Sequence, residues 1–337
     1  MKDWLNLSDC KYLLTKVTTT RLALAILPLA AIFASPLAEG ADTPPPTWAF
    51  PISPADFTGP DDGVPRRVPN SSITYPLTQL RDRFIASDWH PKDHAPMPPI
   101  VAKGRKPDVF ACGFCHRADG PGSPQNAALA GLPAAYIVQQ MNDYKSGART
   151  TAVPGRGVQL MIDLAKAATN EEIAAAAAYF SVLKPRQHTR VVETDIVPKT
   201  FLRSHSYAAL PSGEKEPIGK RIIEVPEDLE RVMLHDSHAR FIAYVPVGSV
   251  ARGEALVRTG GGGKTVACVA CHGLDLKGVG MIPGIAGRST SYVVRQLYDL
   301  KHGFRAGAFA VQMKDVVARL DEEDMLAIAA YLVTQAP

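Results

Sequence analysis

Cysteine, aromatic residues, charge of one sign and long apolar runs are all scarce in this sequence. Five of the 337 residues are cysteine, 7% are aromatic, and the formal net charge is only +4. A charge this small does not indicate a nucleic-acid partner, which typically binds a strongly basic surface. The apolar run at 22–34 is thirteen residues long and contains Pro28, whereas a membrane-spanning helix needs about 20 apolar residues. These shortages argue against nucleic-acid binding and against a membrane span in that run.

The first 40 residues have the pattern of an export signal. Basic residues precede the short apolar run, and 38–40 contain the small residues of a candidate cleavage site. We therefore predict a signal peptide at 1–40 and a periplasmic protein. Membrane association is expected only where this leader stays uncleaved.

The four cysteines outside the leader form two C-x-x-C-H motifs. The first motif is Cys112, Cys115 and His116, and the second is Cys268, Cys271 and His272. Cysteines three apart lie on one side of a helical turn, so both sulfurs can bond the two vinyl groups of one porphyrin edge. The next residue can then place an imidazole on the iron. The spacing is typical of c-type haem attachment and predicts two covalently bound haem c groups.

Two other chemistries use cysteine pairs. A thioredoxin-like redox pair would lie in a βαβ setting, and a structural zinc site would have its ligand pairs closer together in sequence. The two motifs lie 156 residues apart among helical patterns, which favours haem attachment over both.

The chain between and after the motifs repeats itself. An offset of 156 residues pairs Gly104 with Gly260, Asp119 with Asp275, Tyr136 with Tyr292, Gln140 with Gln296 and Arg149 with Arg305. Such self-similarity predicts two copies of one domain. After four extra residues in the first copy, an offset of 152 pairs Met161 with Met313.

The matched methionines are candidates for the second axial ligand of each iron. Thioether sulfur is soft and favours reduced iron, which suits an electron carrier. Of the eight methionines, only Met161 and Met313 are matched between the copies. We predict ligation by His116 and Met161 in the first copy and by His272 and Met313 in the second, with no catalytic residue.

The remaining sequence predicts a division into five parts. They are the signal peptide at 1–40, a proline-rich extended arm at 41–96, haem domains at 97–184 and 248–337, and a connector at 185–247. The arm is expected to lie on the first domain, because its prolines block long helices, with His90 and His94 at the surface. The connector is too long for a simple loop.

Short elements are predicted inside the connector. Strands are expected at 189–197, 221–225 and 241–245 and a helix at 226–234. His188, His205, His235 and His238 are expected to be surface or hydrogen-bonding residues. The fold class expected for the whole chain is all-α, with this segment partly β-like.

The last helix of each copy has a capping signal. Thr169 with Glu172, and Asp321 with Asp324, stand three apart at the predicted helix starts. We expect each of these helices to cross the helix before its motif at Gly104 or Gly260, where no side chain intervenes.

Each copy resembles a class I cytochrome c domain, and the tandem resembles the dihaem cytochrome c4 group. The matching residues are the C-x-x-C-H motifs, Gly104 and Gly260, the later methionines, and Tyr179 and Tyr331 in the last helices. The resemblance covers about 97–184 and 248–337. Pro283 resembles the family's proline whose carbonyl steadies the haem histidine. The first copy has Ala127 there instead, with Pro124 displaced by three.

This resemblance implies electron transfer. We expect a periplasmic carrier of single electrons between a dehydrogenase and a terminal oxidase or other respiratory acceptor. The alternatives are a dihaem redox enzyme of the peroxidase or thiosulfate-dehydrogenase type with one open or weakly ligated haem, and a haem-stabilised binding module.

Overall fold

A computed structural model describes residues 44–52, 60–203 and 206–337. The predicted leader at 1–40 and the histidine at position 205 lie outside the described residues. Among the residues described, no helix is both long and apolar enough to cross a membrane.

Short helices surround the first motif, and longer ones follow it. The helices up to residue 181 are α1 (Leu77–Arg81), α2 (Pro99–Ala102), α3 (Cys112–His116), α4 (Ala134–Ser146), α5 (Arg156–Ala167) and α6 (Asn170–Ser181). The later helices are α7 (Leu229–Met233), α8 (Ser249–Thr259), α9 (Val269–His272), α10 (Thr290–Lys301), α11 (Lys314–Val317) and α12 (Glu322–Leu332), with a 3₁₀ helix at Ala310–Met313.

The strands are concentrated between α6 and α8. They are β1 (Thr189–Glu193), β2 (Ile196–Pro198), β3 (Thr200–Arg203), β4 (Ser206–Ala209), β5 (Lys215–Pro217), β6 (Ile223–Pro226) and β7 (Phe241–Val245). The short pair β8 (Gly278–Val279) and β9 (Ile282–Pro283) follows the second motif.

The prediction of an all-α fold is wrong. Of the described residues, 36% lie in helices and 13% in strands, which form several sheets. β7 is the central strand of a sheet, parallel to β1 and antiparallel to β6. The physical reason is visible in β7, where Phe241, Ala243 and Val245 are buried and alternate with more exposed residues. This period of two buries apolar surface through a sheet rather than a helix.

Other connector predictions need smaller corrections. The strand predicted at 189–197 is two strands, because the Thr194 hydroxyl accepts from the Ile196 N–H at 3.2 Å and turns the chain between them. The predicted helix starts at Leu229 rather than at Pro226, because the Asp228 carboxylate caps it. The strand at 241–245 has the predicted bounds, whereas the pairs β2 with β5 and β3 with β4 were not predicted.

Both predicted capping boxes are confirmed. The Thr169 hydroxyl accepts from the Glu172 N–H at 3.2 Å, and the Glu172 carboxylate accepts from the Thr169 N–H at 2.9 Å. Asp321 and Asp324 form the matching pair of bonds at 2.9 and 3.1 Å. These bonds satisfy backbone donors at the helix starts, so α6 and α12 begin at matched positions.

The glycine at the helix crossing is Gly253, not Gly260. A Cβ atom on Gly253 would lie only 2.7 Å from the Tyr331 Cβ atom and the Ala327 carbonyl carbon, both in α12. Gly104 and Gly260 instead have left-handed backbones, with φ of 62° and 75°. They end α2 and α8 next to the chain leading into each motif, so their role is to turn the backbone.

The proline-rich arm contacts more than the first copy. Phe50 packs edge-on against Tyr298 in α10 at 5.7 Å between ring centroids, and the Trp48 indole donates to Glu322 at 3.3 Å. Further along, the Trp89 indole donates to the Leu234 carbonyl in the connector at 2.8 Å. The arm therefore contacts both copies and the connector.

The prediction that His90 and His94 are surface residues is wrong. His90 is buried, bonded to the buried Asp236 carboxylate at 2.9 Å and stacked on His238 with 3.6 Å between centroids. The His94 side chain is only 3% exposed and bonds to Asp88 and to the Tyr179 hydroxyl. Asp236, His238 and Tyr179 lie at least 85 residues away in sequence from the histidine that each contacts, so local composition gives no signal for these contacts.

Candidate haem-binding sites

Each motif histidine is held by a backbone carbonyl eleven residues later. His116 Nδ1 lies 2.8 Å from the Ala127 carbonyl oxygen, and His272 Nδ1 lies 2.8 Å from that of Pro283. Because a carbonyl only accepts, each Nδ1 atom carries the hydrogen and each Nε2 atom keeps its lone pair for a metal. The Ala127 carbonyl accepts this hydrogen bond at the same distance as the Pro283 carbonyl, because the acceptor is a backbone atom and needs no particular side chain.

The surroundings keep both imidazoles neutral. Burial lowers the pKa of His116 and of His272. The nearby Arg117 and Arg149 charges lower the pKa of His116 further. Neutral imidazole is the form that binds metals, so both histidines are in the required state near neutral pH.

No disulfide joins the motif cysteines in the described part of the chain. Burial raises the pKa of Cys112 to about 12 and that of Cys268 to about 11, and it raises the pKa of Cys115. A dithiol redox pair requires the opposite, a lowered pKa that yields thiolate. The thioredoxin-like alternative is therefore disfavoured, and all four sulfurs are available for covalent haem attachment.

The chain leaves each motif helix with an unusual backbone. Arg117, directly after His116, has φ 69°, and Gly273, directly after His272, has φ 84°. A positive φ is ordinary for glycine but strained for arginine. Arg117 is also 7% exposed, and burial lowers its pKa to about 10. Its guanidinium donates to the Phe114 carbonyl at 2.9 Å, which closes the turn.

The two predicted methionine ligands lie in unlike segments. Met161 is half-buried in the twelve-residue helix α5, whereas Met313 ends the 3₁₀ helix. Met313 and Cys268 both pack against the core of the second copy. In the first copy Leu164 and Ala167 of α5 pack against the described core. The matched sequence positions thus have different local structures.

The two motifs differ in their surroundings, although His272 of the second motif is itself buried. Arm and connector residues cover the first motif, with Ala111 N–H donating to the Arg83 carbonyl at 2.9 Å and Phe114 edge-on to His235 at 4.9 Å. At the second motif Cys271 is exposed. Leu274 beside it is 80% exposed. The sequence alone did not indicate this difference, because it arises from tertiary contacts.

Where the two copies meet, matched residues bind each other reciprocally. The backbones at Arg149 and Arg305 form a β-bridge, and each guanidinium donates to glutamines of both copies. The paired positions of Tyr136, Gln140 and Arg149 in the repeat were the only sequence signal of this cluster.

Comparisons with known proteins agree with these sites. A family model described as Cytochrome c matches residues 101–184 and 250–336. The thiosulfate dehydrogenase electron acceptor of Thiomonas intermedia (strain K12) is 28% identical over 68% of this chain and 80% of its own length. Cytochrome c4 of Pseudomonas aeruginosa is 27% identical over 66% of this chain and 82% of its own. A solved structure of thiosulfate dehydrogenase from Marichromatium purpuratum is 28% identical, with TM-score 0.47, over 70% of this chain and 39% of that one.

The described residues fit the haem that these comparisons imply. Each motif presents two free thiols and a neutral imidazole whose Nδ1 atom is already bonded to a carbonyl. Those are the donors that covalent haem c needs from the protein. Both motifs satisfy this test, including the first, which lacks the proline.

Proposed function

Because the chain belongs to the cytochrome c family and carries two covalently bound haem c groups, we propose that it is a periplasmic carrier of single electrons. Its donor is a dehydrogenase, and its acceptor is a terminal oxidase or another respiratory protein. Two relatives support this role by name, one an electron acceptor of thiosulfate dehydrogenase and one a cytochrome c4. The observation that carries the proposal is the pair of matched histidine-to-carbonyl bonds. They orient His116 and His272 in the same way, so that each imidazole can bind an iron through Nε2.

The proposed ligand sets follow the sequence repeat. Cys112, Cys115, Cys268 and Cys271 hold the haems by thioethers, His116 and Met161 bind the first iron, and His272 and Met313 bind the second. Bound haem c supplies reversible one-electron exchange between ferric and ferrous iron. The haem domains are 97–184 and 248–337, and the connector is 185–247.

The chain's own residues favour electron exchange over catalysis in this scheme. The carbonyls of Ala127 and Pro283 fix the orientation of the two imidazoles that would hold the irons. The soft methionine sulfurs favour the reduced state. If His116 with Met161 and His272 with Met313 hold the two irons as proposed, neither iron would bind a substrate.

The exposed part of the second motif, around Cys271, is the proposed contact point for redox partners. Leu274, Val279 and Met281 are large apolar side chains exposed near it, at 80%, 59% and 45%. Exposed apolar clusters of this kind support protein docking. The arm and connector cover the first motif, so we propose that electrons enter and leave through the second.

A potentiometric titration of the purified protein tests the carrier function. We expect two haems per chain, each taking one electron reversibly, and negligible turnover of peroxide or thiosulfate. Leu274→Asp should slow electron exchange with a reduced partner. Val182→Asp is the matched control, because Val182 is an exposed valine directly after α6. Sustained turnover of peroxide or thiosulfate by the wild type would contradict the carrier function and show that the protein is an enzyme.

One observation keeps the enzyme as the second candidate. Met161 lies in a regular helix that has no counterpart at Met313. If that helix holds Met161 away from the iron, the first haem has the open iron. Turnover of peroxide or thiosulfate should then disappear when His116 is replaced but persist when His272 is replaced.

A further inference from the structure

Three side chains of metal-ligand type, from distant parts of the chain, meet beside the first motif. They are Asp93 of the arm, Asp119, which lies three residues after His116, and His238 of the connector. One ligand atom of each lies within 4.8 Å of the ligand atoms of the other two. The Nε2 atom of His238 is 2.6 Å from the Oδ2 atom of Asp93. Among the residues described, no other three such side chains are grouped this closely.

The guanidinium of Arg186 is the positive charge that these residues share in the structure. Its Nη1 atom donates to the Oδ2 atom of Asp93 at 3.2 Å, and its Nη2 atom donates to the Oδ2 atom of Asp119. The same Nη1 atom lies 2.7 Å from the Nε2 atom of His238. The Arg186 side chain is 37% exposed, so it can turn into solvent when another cation takes its place.

No protonation state of His238 satisfies both contacts of its Nε2 atom. A ring nitrogen carries either one hydrogen or one lone pair, so it can donate or accept but not both. With the hydrogen present, Nε2 donates to Asp93 but meets an N–H donor of Arg186 at 2.7 Å. Without the hydrogen, it accepts from Arg186 but faces the Asp93 oxygen, a second acceptor, at 2.6 Å. Arg186 is therefore an imperfect partner for this pair, whereas a metal ion binds both lone pairs at once.

Asp119 has a buried oxygen that the protein leaves unbonded. Its side chain is 8% exposed, and its Oδ1 atom has no hydrogen-bond partner in the described part of the chain, although buried polar atoms normally have one. In the second copy the matched Asp275 is exposed, and its Oδ1 atom accepts from the Lys277 N–H at 3.1 Å. The residue matched to Lys277 is Pro121, which has no N–H to donate. The first copy thus lacks the local bond and keeps a spare metal ligand.

We propose that Asp93, Asp119 and His238 form a binding site for a divalent transition-metal cation, which displaces the Arg186 guanidinium when it binds. One imidazole nitrogen and two carboxylate oxygens are a ligand set that zinc accepts. Because Asp93 is exposed, a fourth position can be filled by water. Calcium and magnesium prefer oxygen ligands alone, so the imidazole favours zinc or a similar metal.

A metal at this site joins the three segments around the first motif. It links the arm, the connector and the chain that follows His116. The His238 ring is already held in place, because it stacks on His90 with 3.6 Å between centroids and its backbone N–H donates to Asp236 at 2.9 Å. Binding should therefore need little reordering of this ligand. Since the three ligands meet only in the folded chain, the metal should stabilise the folded state.

A calorimetric titration tests the site in the purified, haem-loaded protein, after treatment with EDTA and removal of the chelator. Zinc chloride is the probe, and magnesium chloride is the comparison. Asp119→Asn and His238→Gln each remove one ligand. His302→Gln is the matched control, because it removes an imidazole of the second copy that stacks on Tyr298. Haem content and thermal unfolding are recorded for every sample, with and without zinc.

We expect the wild type and His302→Gln to bind one zinc ion per chain. Zinc affinity should fall at least about tenfold in Asp119→Asn and in His238→Gln. Saturating zinc should raise the thermal midpoint of the wild type by at least about 3 °C, and magnesium should not. Equal zinc affinity in the wild type and His238→Gln, or an equal response to magnesium, would overturn the proposal.

Arg186→Gln separates a metal site from a simple cluster of ion pairs. Without the guanidinium, the buried Asp119 carboxylate is unpaired, so this variant should be less stable than the wild type in EDTA. If Arg186 competes with the metal, zinc should bind more tightly to the variant and restore its thermal midpoint. A loss of stability that zinc does not restore would show that the cluster holds Arg186 only, and it would overturn the proposal.

Discussion

Replacing Gly253 by alanine should damage the second copy more than any ordinary surface change. A Cβ atom there would lie 2.7 Å from the Tyr331 Cβ atom and from the Ala327 carbonyl carbon. Carbon atoms in contact stay about 3.5–4.0 Å apart, so α8 and α12 would have to separate by about 1 Å. Backbone atoms of α12 cannot turn aside as a flexible side chain could.

The expected cost is about 3 kcal/mol in the free energy of unfolding, the upper part of the usual range for overpacking. Gly157 is the matched control, since it also lies in a helix but has no atom within 4 Å of its Cβ position. Gly157→Ala should be neutral or stabilising by up to about 1 kcal/mol, because alanine favours the helix.

Urea unfolding of the two haem-loaded variants measures this difference. The midpoint should fall for Gly253→Ala and stay or rise for Gly157→Ala, with the slope unchanged in both. If Gly253→Ala lies within about 0.5 kcal/mol of the wild type, the close crossing of α8 and α12 is wrong.

Three other outcomes follow from single buried or ligating groups. Glu224→Gln should cost about 2–4 kcal/mol in urea unfolding, because a buried carboxylate accepts from the start of α10; an effect equal to that of the exposed control Glu214→Gln would contradict this. Burial raises the pKa of Asp299 from 3.8 to about 6, so the native state holds this proton more tightly and stability falls as pH rises from about 4 to about 6. Asp299→Asn should remove that slope and be up to about 3 kcal/mol more stable than the wild type above pH 6; parallel pH curves would refute it. Cys268→Ala or His272→Ala should remove one haem and unfold the second copy, as haem-stained gels and circular dichroism would show, and retention of both haems would contradict it.

Signals confined to a few neighbouring residues predicted the structure well. The capping boxes at Thr169 and Asp321 depend on residues three apart, and both formed as expected. The strand at 241–245 also carries its own pattern of alternating burial. Such features need no knowledge of the rest of the chain.

Features that depend on distant segments were predicted poorly. His90 is buried because Asp236 reaches it from the connector, and no local pattern indicates that partner. The glycine at the crossing of α8 and α12 was predicted to be Gly260, because Gly260 matches Gly104 in the repeat. Gly253 has no glycine counterpart in the first copy, where Met97 stands at the same offset. The all-α expectation failed for a related reason, since the repeat says nothing about the sheet between the copies.

The candidate sites were partly readable from sequence. The C-x-x-C-H motifs indicated the thiols and imidazoles directly, and the spacing of eleven residues indicated the carbonyl partner of His272. Ala127 showed that the first copy keeps this bond without proline, because a backbone carbonyl needs no particular side chain. The unequal covering of the two motifs depends on the arm and connector, whose contacts only the structure reveals.

Carbon monoxide binding to the reduced native protein tests the central claim most directly, since that claim is two irons closed by protein ligands. We predict no binding to the wild type, binding to one haem in Met161→Ala and binding to the other haem in Met313→Ala. Stoichiometric binding of carbon monoxide to one haem of the unmodified protein would contradict the account, and the first haem is where an open iron would be sought.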